Sequence, residues 1–226
     1  MNIKNIIFDL GGVLLNIDYH ATINAFKKLG MEDFDEFFTQ AAQNQLFDRL
    51  DKGQISPSAF REELRRISGL EVSDDEIDSA WNAMLLDLPA KRLALLEMVG
   101  KNYRTFLLSN TNSMHYPAYM DYLTRHYGVA DLSALFDKQY LSFRVGMRKP
   151  DREIYTHVLS DQGLHAGETL FIDDSFQHVE GARKAGLNAV WLDVQRMEVN
   201  DLFTDHHRLR EDIETLIADG SGRGLE

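Results

Sequence analysis

The sequence predicts an α/β protein: a parallel sheet covered by helices on both faces, with a small all-helical domain inserted after the first strand. Two observations lead to this prediction. Short runs of β-branched and aromatic residues alternate with amphipathic helical patterns, an order that favours a parallel sheet. The first run ends near Asp9 and the second begins only near Tyr103, and the chain between them has helical patterning throughout.

Five runs predict buried strands. They are Ile3–Phe8, Tyr103–Leu108, Lys138–Leu141, Thr169–Ile172 and Ala189–Leu192. Apolar residues at helical spacing predict helices between the later strands, over Leu93, Leu96 and Val99, over Ile154 and Val158, and over Phe176, Val179 and Ala182, with Gly186 as a C-cap. Because the strands are predicted to be parallel, polar residues that follow them should gather beyond one edge of the sheet.

The insert is predicted over 17–88, as about four helices with a core of their own. Ser56 and Pro57 predict an N-cap and a first helical residue, and Ser73 with Glu76 predicts a capping box. Its predicted core consists of aromatic and aliphatic residues: Phe34, Phe37, Phe38, Leu46, Phe47, Phe60, Leu64, Ile67, Trp81 and Leu85. The sheet domain then comprises 1–16 and 89–218, and the Gly-rich end of the chain, 219–226, predicts a flexible tail.

Composition excludes several function classes. The 226 residues include no cysteine, which excludes a disulfide scaffold, a thiol nucleophile and a Cys-based zinc site. The net charge of −12 disfavours a nucleic-acid backbone or an anionic membrane as the main partner. No apolar run approaches the roughly 18 residues of a membrane span. We therefore expect a cytoplasmic protein, either monomeric or dimeric.

Polar residues lie after four of the predicted strands: Asp9 before Gly11-Gly12, Ser109-Asn110-Thr111, Lys149-Pro150 and Asp173-Asp174. Lys149-Pro150 is also predicted to open a helix. A carboxylate at the end of an apolar strand is costly to bury unless it is paired or metal-bound. Converging carboxylates therefore predict a divalent cation, and hard oxygen ligands favour Mg²⁺. With a hydroxyl, an amide and an ammonium group as donors, this set suits phosphoryl transfer to an aspartate nucleophile.

These residues also resemble a known family. The sequence is similar to haloacid dehalogenase superfamily hydrolases that carry a helical cap after the first strand of a Rossmann-like core. The matching motifs occur in the family's order: Phe8-Asp9-Leu10-Gly11-Gly12-Val13, Leu107-Leu108-Ser109-Asn110-Thr111-Asn112, Gly146-Met147-Arg148-Lys149-Pro150 and Phe171-Ile172-Asp173-Asp174. The residues around Asp18, Asn112 and Arg148 are similar to a bacterial branch of sugar-phosphate phosphatases that includes one acting on glucose 1-phosphate.

The resemblance implies a role for each motif residue. Asp9 would be the nucleophile, and Ser109 with the Asn110 amide would bind the phosphoryl oxygens. Lys149 would neutralise both the nucleophile and the phosphate. Magnesium would be held by Asp9, the Gly11 carbonyl and Asp174, with Asp173 beside them, directly or through water. The implied partner is a small phosphorylated metabolite.

One position departs from the family's commoner pattern. Phosphatases of this superfamily usually have a second Asp two residues after the nucleophile, as a general acid, and here that residue is Gly11. Three explanations stay open at the level of sequence. The leaving group of the substrate is acidic, as an anomeric hydroxyl is, and needs little protonation. Alternatively, Asp18 or His20 substitutes for the missing general acid, with Asp18 contacting substrate. The third explanation is that the protein is a weak enzyme.

Two alternatives to a magnesium-dependent phosphatase also remain. A 2-haloacid dehalogenase would use the same aspartate to attack carbon and would need no metal, an alternative that the Asp173-Asp174 pair disfavours. A catalytically silent binding protein would keep the fold without turnover, and Gly11 is its only support in the sequence.

Overall fold

A computed structural model describes residues 2–31 and 45–219. Its centre is one five-stranded sheet in which every neighbouring pair is parallel, in the order β3-β2-β1-β4-β5. The strands are β1 (Asn5–Phe8), β2 (Arg104–Ser109), β3 (Lys138–Leu141), β4 (Thr169–Asp173) and β5 (Asn188–Trp191). The predicted parallel α/β sheet is confirmed, and each strand lies within two residues of its predicted bounds.

The α-helices in the described ranges are α1 (Tyr19–Lys28), α2 (Leu46–Asp51), α3 (Pro57–Ser68), α4 (Asp74–Asn82), α5 (Ala90–Val99), α6 (His115–Tyr127), α7 (Ser142–Val145), α8 (Arg152–Gln162), α9 (Phe176–Lys184) and α10 (Ile213–Asp219). Short 3₁₀ helices cover Leu132–Ala134, Ala166–Glu168 and Val199–Leu202. Within the part of the chain that the structure describes, no helix has both the length and the apolar character needed to cross a bilayer.

Alternate residues of each strand bury opposite faces of the sheet, which is the period that pleated strands impose. Ile6 and Phe8 of β1 pack into a core that includes apolar residues of α5 and α6. Ile7 packs on the other face, in a core that includes apolar residues of α8 and α9. Two hydrophobic layers thus fix the sheet in the middle, and the strand ends are the places where polar groups emerge.

Two details of the predicted helix ends differ from the structure. Lys149-Pro150 was expected to open a helix, but α8 begins at Arg152 and the Lys149-Pro150 peptide bond, which is cis, precedes it. The C-cap of α9 is Ala185, and Gly186 follows it with a φ of +93°. Glycine adopts this left-handed conformation without a steric penalty and is common just after a C-cap. The C-cap predicted at Gly186 is therefore one residue too late in the chain.

The described part of the insert contains α1 to α4, and its predicted caps are present. Ser56 accepts a hydrogen bond from the Ala59 amide at the start of α3, and Ser73 and Glu76 form a capping box at α4. The predicted core residues Leu46, Phe60, Leu64 and Trp81 are buried together, and Phe47 and Ile67 pack against them. Leu85 instead packs against the core of the sheet domain, and Phe34, Phe37 and Phe38 lie outside the described residues.

The two passages of chain that join insert and sheet run side by side. Ile17 and Leu85 form an antiparallel bridge, and backbone hydrogen bonds of 2.8 and 3.0 Å join Asn16 to Asp87 and to Leu86. This pairing lies close to the predicted boundaries at 17 and 88, which stay predictions. Of the predicted tail, Asp219 ends α10 and 220–226 lie outside the described residues.

Candidate functional site

Three of the predicted site residues meet at the carboxyl edge of the sheet because their strands are neighbours. Asp9 follows β1 directly, and its amide donates to Ile172 of β4 at 2.9 Å. Ser109 ends β2 and Asp173 ends β4, on either side of β1. All three side chains are buried. Parallel strands with aligned ends therefore place a hydroxyl and two carboxylates around one point.

Lys149 joins the two buried carboxylates. Its Nζ lies 2.6 Å from Oδ1 of Asp9 and 2.7 Å from Oδ2 of Asp173, and the lysine side chain is fully buried. An ammonium group without solvent is tolerated only where anions surround it. The two ion pairs explain the presence of a buried lysine and bring together residues 140 positions apart in the chain.

Asn110 holds the backbone of Lys149 in place. Its side-chain amide donates to the Lys149 carbonyl at 2.9 Å, and its side-chain oxygen accepts from the Lys149 amide at 2.9 Å. This pair of bonds locks the loop before α8 onto the end of β2. The Asn110 amide was predicted to contact substrate; its side chain binds the Lys149 backbone, and the residue lines the cleft described below.

Asp174 supplies the third carboxylate. One oxygen from each of Asp9, Asp173 and Asp174 lies within 4.8 Å of the others. Carboxylate oxygens in such a cluster are hard ligands, and a divalent cation offsets their mutual repulsion, so this donor set fits Mg²⁺. Asp173 already bonds Lys149 through Oδ2 and accepts from the Ser175 amide through Oδ1 at 2.8 Å, so its oxygens are the most heavily occupied of the three.

The electrostatics of the cluster follow from burial and charge. Burial raises the pKa of Asp9 to about 6, although Lys149 opposes the shift, and burial with the charges of Asp9 and Asp173 raises the pKa of Asp174 to about 7. For Asp173 burial acts in the same upward direction, but Lys149 and His178 outweigh it, and the pKa is lowered. Asp173 is thus the carboxylate that Lys149 holds ionised. A bound cation would stabilise the ionised forms of Asp9 and Asp174 most.

His178 belongs to the site and was missed by the sequence analysis. It lies in the first turn of α9, and its Nδ1 is 3.0 Å from Oδ1 of Asp173. Its position five residues after Asp173 is the available signal, since a helix that starts just after a strand returns its first turn toward the strand end. His178 also lines the cleft described next.

A cleft of about 620 Å³ opens over these residues, between the sheet edge and the insert. Its sheet-side wall includes Asp9, Gly11, Ser109, Lys149 and Asp174. Its insert wall includes the following residues of α1, α2, α4 and their flanks: Tyr19, Gln45, Phe47, Asp48, Asp51, Trp81 and Met84. The size and position suit a small molecule held between two domains.

Asp18 and His20, which one of the three open explanations offered as substitutes for the acid at Gly11, lie outside the cleft wall. Asp18 is the N-cap of α1, where its carboxylate accepts from the His20 amide at 2.9 Å, and neither Asp18 nor His20 is among the cleft-lining residues. Asp51 and Trp81 line the cleft instead. Only the folding of the insert brings α2 and α4 to the cleft. The local sequence around Asp51 therefore did not indicate that this residue lines a site.

The sheet topology and the carboxylate cluster define a class of protein: a Rossmann-like α/β protein with a strand-end aspartate and a helical insert over its site. The chain belongs to the haloacid dehalogenase-like hydrolases, since that family matches residues 3–186. The predictions of this superfamily, of its Rossmann-like core and of an enzyme are confirmed.

Characterised and solved relatives support this assignment. The chain is 32% identical over 186 residues, 81% of its length and 89% of the relative's, to a D-ribitol-5-phosphate phosphatase of Bacteroides thetaiotaomicron. A solved enzyme of this family from the same organism, in complex with magnesium and inorganic phosphate, is 36% identical with a TM-score of 0.79, over 89% of this chain and 100% of that one. A dehalogenase structure at 20% identity and a TM-score of 0.59, over 95% of each chain, shares the fold alone.

Proposed function

We propose that this protein is a Mg²⁺-dependent phosphatase that hydrolyses a small phosphomonoester through an aspartyl-phosphate on Asp9. The observation that carries the proposal is the placement of Asp9 against Lys149 and within the carboxylate cluster, at the floor of the cleft. The magnesium and phosphate bound to the related enzyme support it.

The reaction follows from the residues at the sheet edge. Lys149 holds Oδ1 of Asp9, and in the described part of the chain no group bonds its second oxygen. This second oxygen attacks phosphorus as the bond to the leaving oxygen breaks, and the leaving oxygen takes a proton from water. Water then attacks the acyl phosphate, which releases phosphate and restores Asp9. Ser109 and the backbone amide of Asn110 would donate to the phosphoryl oxygens. A cation held by Asp9, Asp174 and the Gly11 carbonyl, with Asp173 behind them, would neutralise charge on the phosphoryl group.

The substrate class we propose is a phosphorylated sugar or sugar alcohol. The resemblance around Asp18, Asn112 and Arg148 to a branch that includes a glucose 1-phosphate phosphatase favours a hexose 1-phosphate, whose acidic anomeric hydroxyl leaves easily although Gly11 provides no acid. The name of the related D-ribitol-5-phosphate phosphatase favours a sugar alcohol phosphate instead. Both molecules are small enough for the cleft.

The test is hydrolysis of p-nitrophenyl phosphate, a hexose 1-phosphate and a pentitol 5-phosphate, each with Mg²⁺ or with EDTA. Phosphate release is expected only with Mg²⁺, and Asp9→Asn is expected to abolish it, because an amide cannot form the intermediate. Asp75→Asn, which alters an exposed carboxylate of the insert, is the matched control. Full activity of Asp9→Asn would refute the mechanism. Halide release from chloroacetate in EDTA would favour a dehalogenase, and absence of turnover over a broad panel would favour a binding protein.

A further inference from the structure

The insert wall of the cleft contains a carboxylate whose hydrogen bonding is incomplete. Asp51 ends α2, and its side chain is 18% exposed. Its Oδ1 accepts from Nδ2 of Asn112 at 3.2 Å. Its Oδ2 makes no hydrogen bond within 2–31 and 45–219, since the guanidinium of Arg148 lies 3.8 Å away, beyond hydrogen-bond distance. Because this oxygen meets Arg148 only at ion-pair distance and accepts no hydrogen bond in the described ranges, a donor on a ligand would bind there favourably.

Trp81 offers an unpaired donor on the same wall. Trp81 is a lining residue of the cleft, it is 6% exposed, and its buried indole N–H has no hydrogen-bond partner among the residues that the structure describes. The ring stacks on Phe47 at 5.2 Å and on His115 at 5.0 Å, with interplanar angles of 7° and 10°. These contacts hold the indole in a fixed orientation, and a buried N–H without a partner is stabilised by a ligand acceptor.

The positive charge on the insert side of the cleft is outnumbered by carboxylates. In the described ranges Arg148 and Lys149 are the Lys and Arg residues that line the cleft. Arg148 pairs with Asp48 through Nη1, and its Nη2 lies 3.8 Å from Oδ2 of Asp51, while Lys149 pairs with two carboxylates of the sheet edge. Burial lowers the pKa of His115 to about 4, so this side chain is neutral near pH 7. The sequence of 32–44 contains acidic residues but no Lys, Arg or His. The single charge of Arg148 therefore faces two carboxylates, and a second anionic group on the substrate would meet a net negative charge.

We propose that Asp51 and Trp81 bind hydroxyl groups of the substrate, and that they select uncharged polyhydroxylated phosphomonoesters over substrates with a second anionic group. The inference rests on the proposed phosphatase function and specifies its substrate class. A ligand hydroxyl donates to Oδ2 of Asp51, and a ligand oxygen accepts from the Trp81 N–H. A carboxylate or second phosphate in the same place would be repelled by Asp51, so one wall both binds the correct substrate and excludes the wrong one.

The test compares an alditol monophosphate with the aldonate monophosphate of the same carbon number, which adds one carboxylate. With Mg²⁺ at about pH 8.5, where Asp51 is ionised, kcat/KM of the wild-type protein is expected to be at least about 100-fold higher for the alditol, because like charges at a binding site repel. Asp51→Asn keeps the shape and removes the charge, and it is expected to reduce this ratio about tenfold, mainly through KM. Glu62→Gln removes an exposed carboxylate of α3 outside the cleft and should leave the ratio unchanged.

Hydrolysis of p-nitrophenyl phosphate by the wild-type protein separates the two proposals. If this compound is hydrolysed, a wild-type ratio near one, or a ratio that Asp51→Asn does not change, overturns the inference and leaves the phosphatase function intact. If none of the three compounds is hydrolysed with Mg²⁺, both proposals fail. Trp81→Phe keeps the stacked ring and removes the N–H, and it should lower kcat/KM for the alditol phosphate about fivefold. A value equal to wild type would exclude the role of Trp81.

Discussion

A Cβ atom at Gly12 would lie 2.1 Å from Oδ2 of Asp174, far inside van der Waals contact, and Gly12 has a φ of +78°. The loop after β1 therefore approaches the third carboxylate so closely that only glycine fits. This contact links the motif at Asp9 to the motif at Asp174 through backbone shape as well as through charge. It gives the second glycine of the first motif a role in placing Asp174, which we propose as a cation ligand.

Gly12→Ala is expected to reduce Mg²⁺ affinity and kcat/KM about 100-fold, because Asp174 must move away and the backbone is strained. Gly69→Ala is the matched control, since Gly69 has a φ of +68° but no atom within 4 Å of its Cβ position. The measurements are Mg²⁺ titration of the steady-state rate and thermal unfolding. Equal Mg²⁺ dependence in both variants would contradict the role that we propose for Gly12 in placing Asp174.

Lys149→Met is expected to lower the free energy of unfolding by about 3 kcal/mol or more, because it leaves two buried carboxylates without their shared cation. Activity should fall at least about 100-fold, since Asp9 loses its positioning partner. Urea unfolding and steady-state kinetics measure the two effects. The control is Lys52→Met: Lys52 pairs at 3.0 Å with Asp151 at the surface, so its loss should cost less than about 1 kcal/mol. Similar costs for the two variants would argue against a buried ion-pair network.

Asp51→Asn should change the pH dependence of stability. Burial raises the pKa of Asp51 to about 7. A carboxyl group with a raised folded-state pKa binds protons more readily in the folded protein, so its contribution to stability falls as pH rises from about 4 to about 7. The variant should therefore unfold several degrees above wild type at about pH 8, and this difference should shrink toward about pH 4. Circular dichroism melting curves test this, and a difference that is constant with pH would contradict it.

Magnesium should stabilise the folded protein. At about 100 times its dissociation constant, a ligand that binds only the folded state adds about 2.7 kcal/mol, which corresponds to a rise in Tm of about 5 °C or more for a chain of this size. Asp174→Asn should abolish most of this shift, because it removes one ligand of the cluster. Asp75→Asn, at an exposed position on α4, should retain it. A shift of equal size in Asp174→Asn would place the cation elsewhere.

The sequence by itself determined the sheet and the polar residues at its carboxyl edge. The runs of β1 and β4 were recognisable because buried parallel strands are largely apolar, and the polar residues that follow them stand out by contrast. Asp9, Ser109, Lys149 and Asp173 were therefore predicted as neighbours, because parallel strands bring their carboxyl ends to one edge.

The tertiary structure decided what faces that edge. Asp18 was a reasonable candidate by proximity in the sequence, but the start of α1 uses its carboxylate as a cap. Asp51 and Trp81 reach the cleft only because helices of the insert pack against each other and over the sheet. His178 likewise depends on the turn from β4 into α9. Local patterns encode elements and their ends, whereas contacts between distant elements depend on packing that no short stretch of sequence contains.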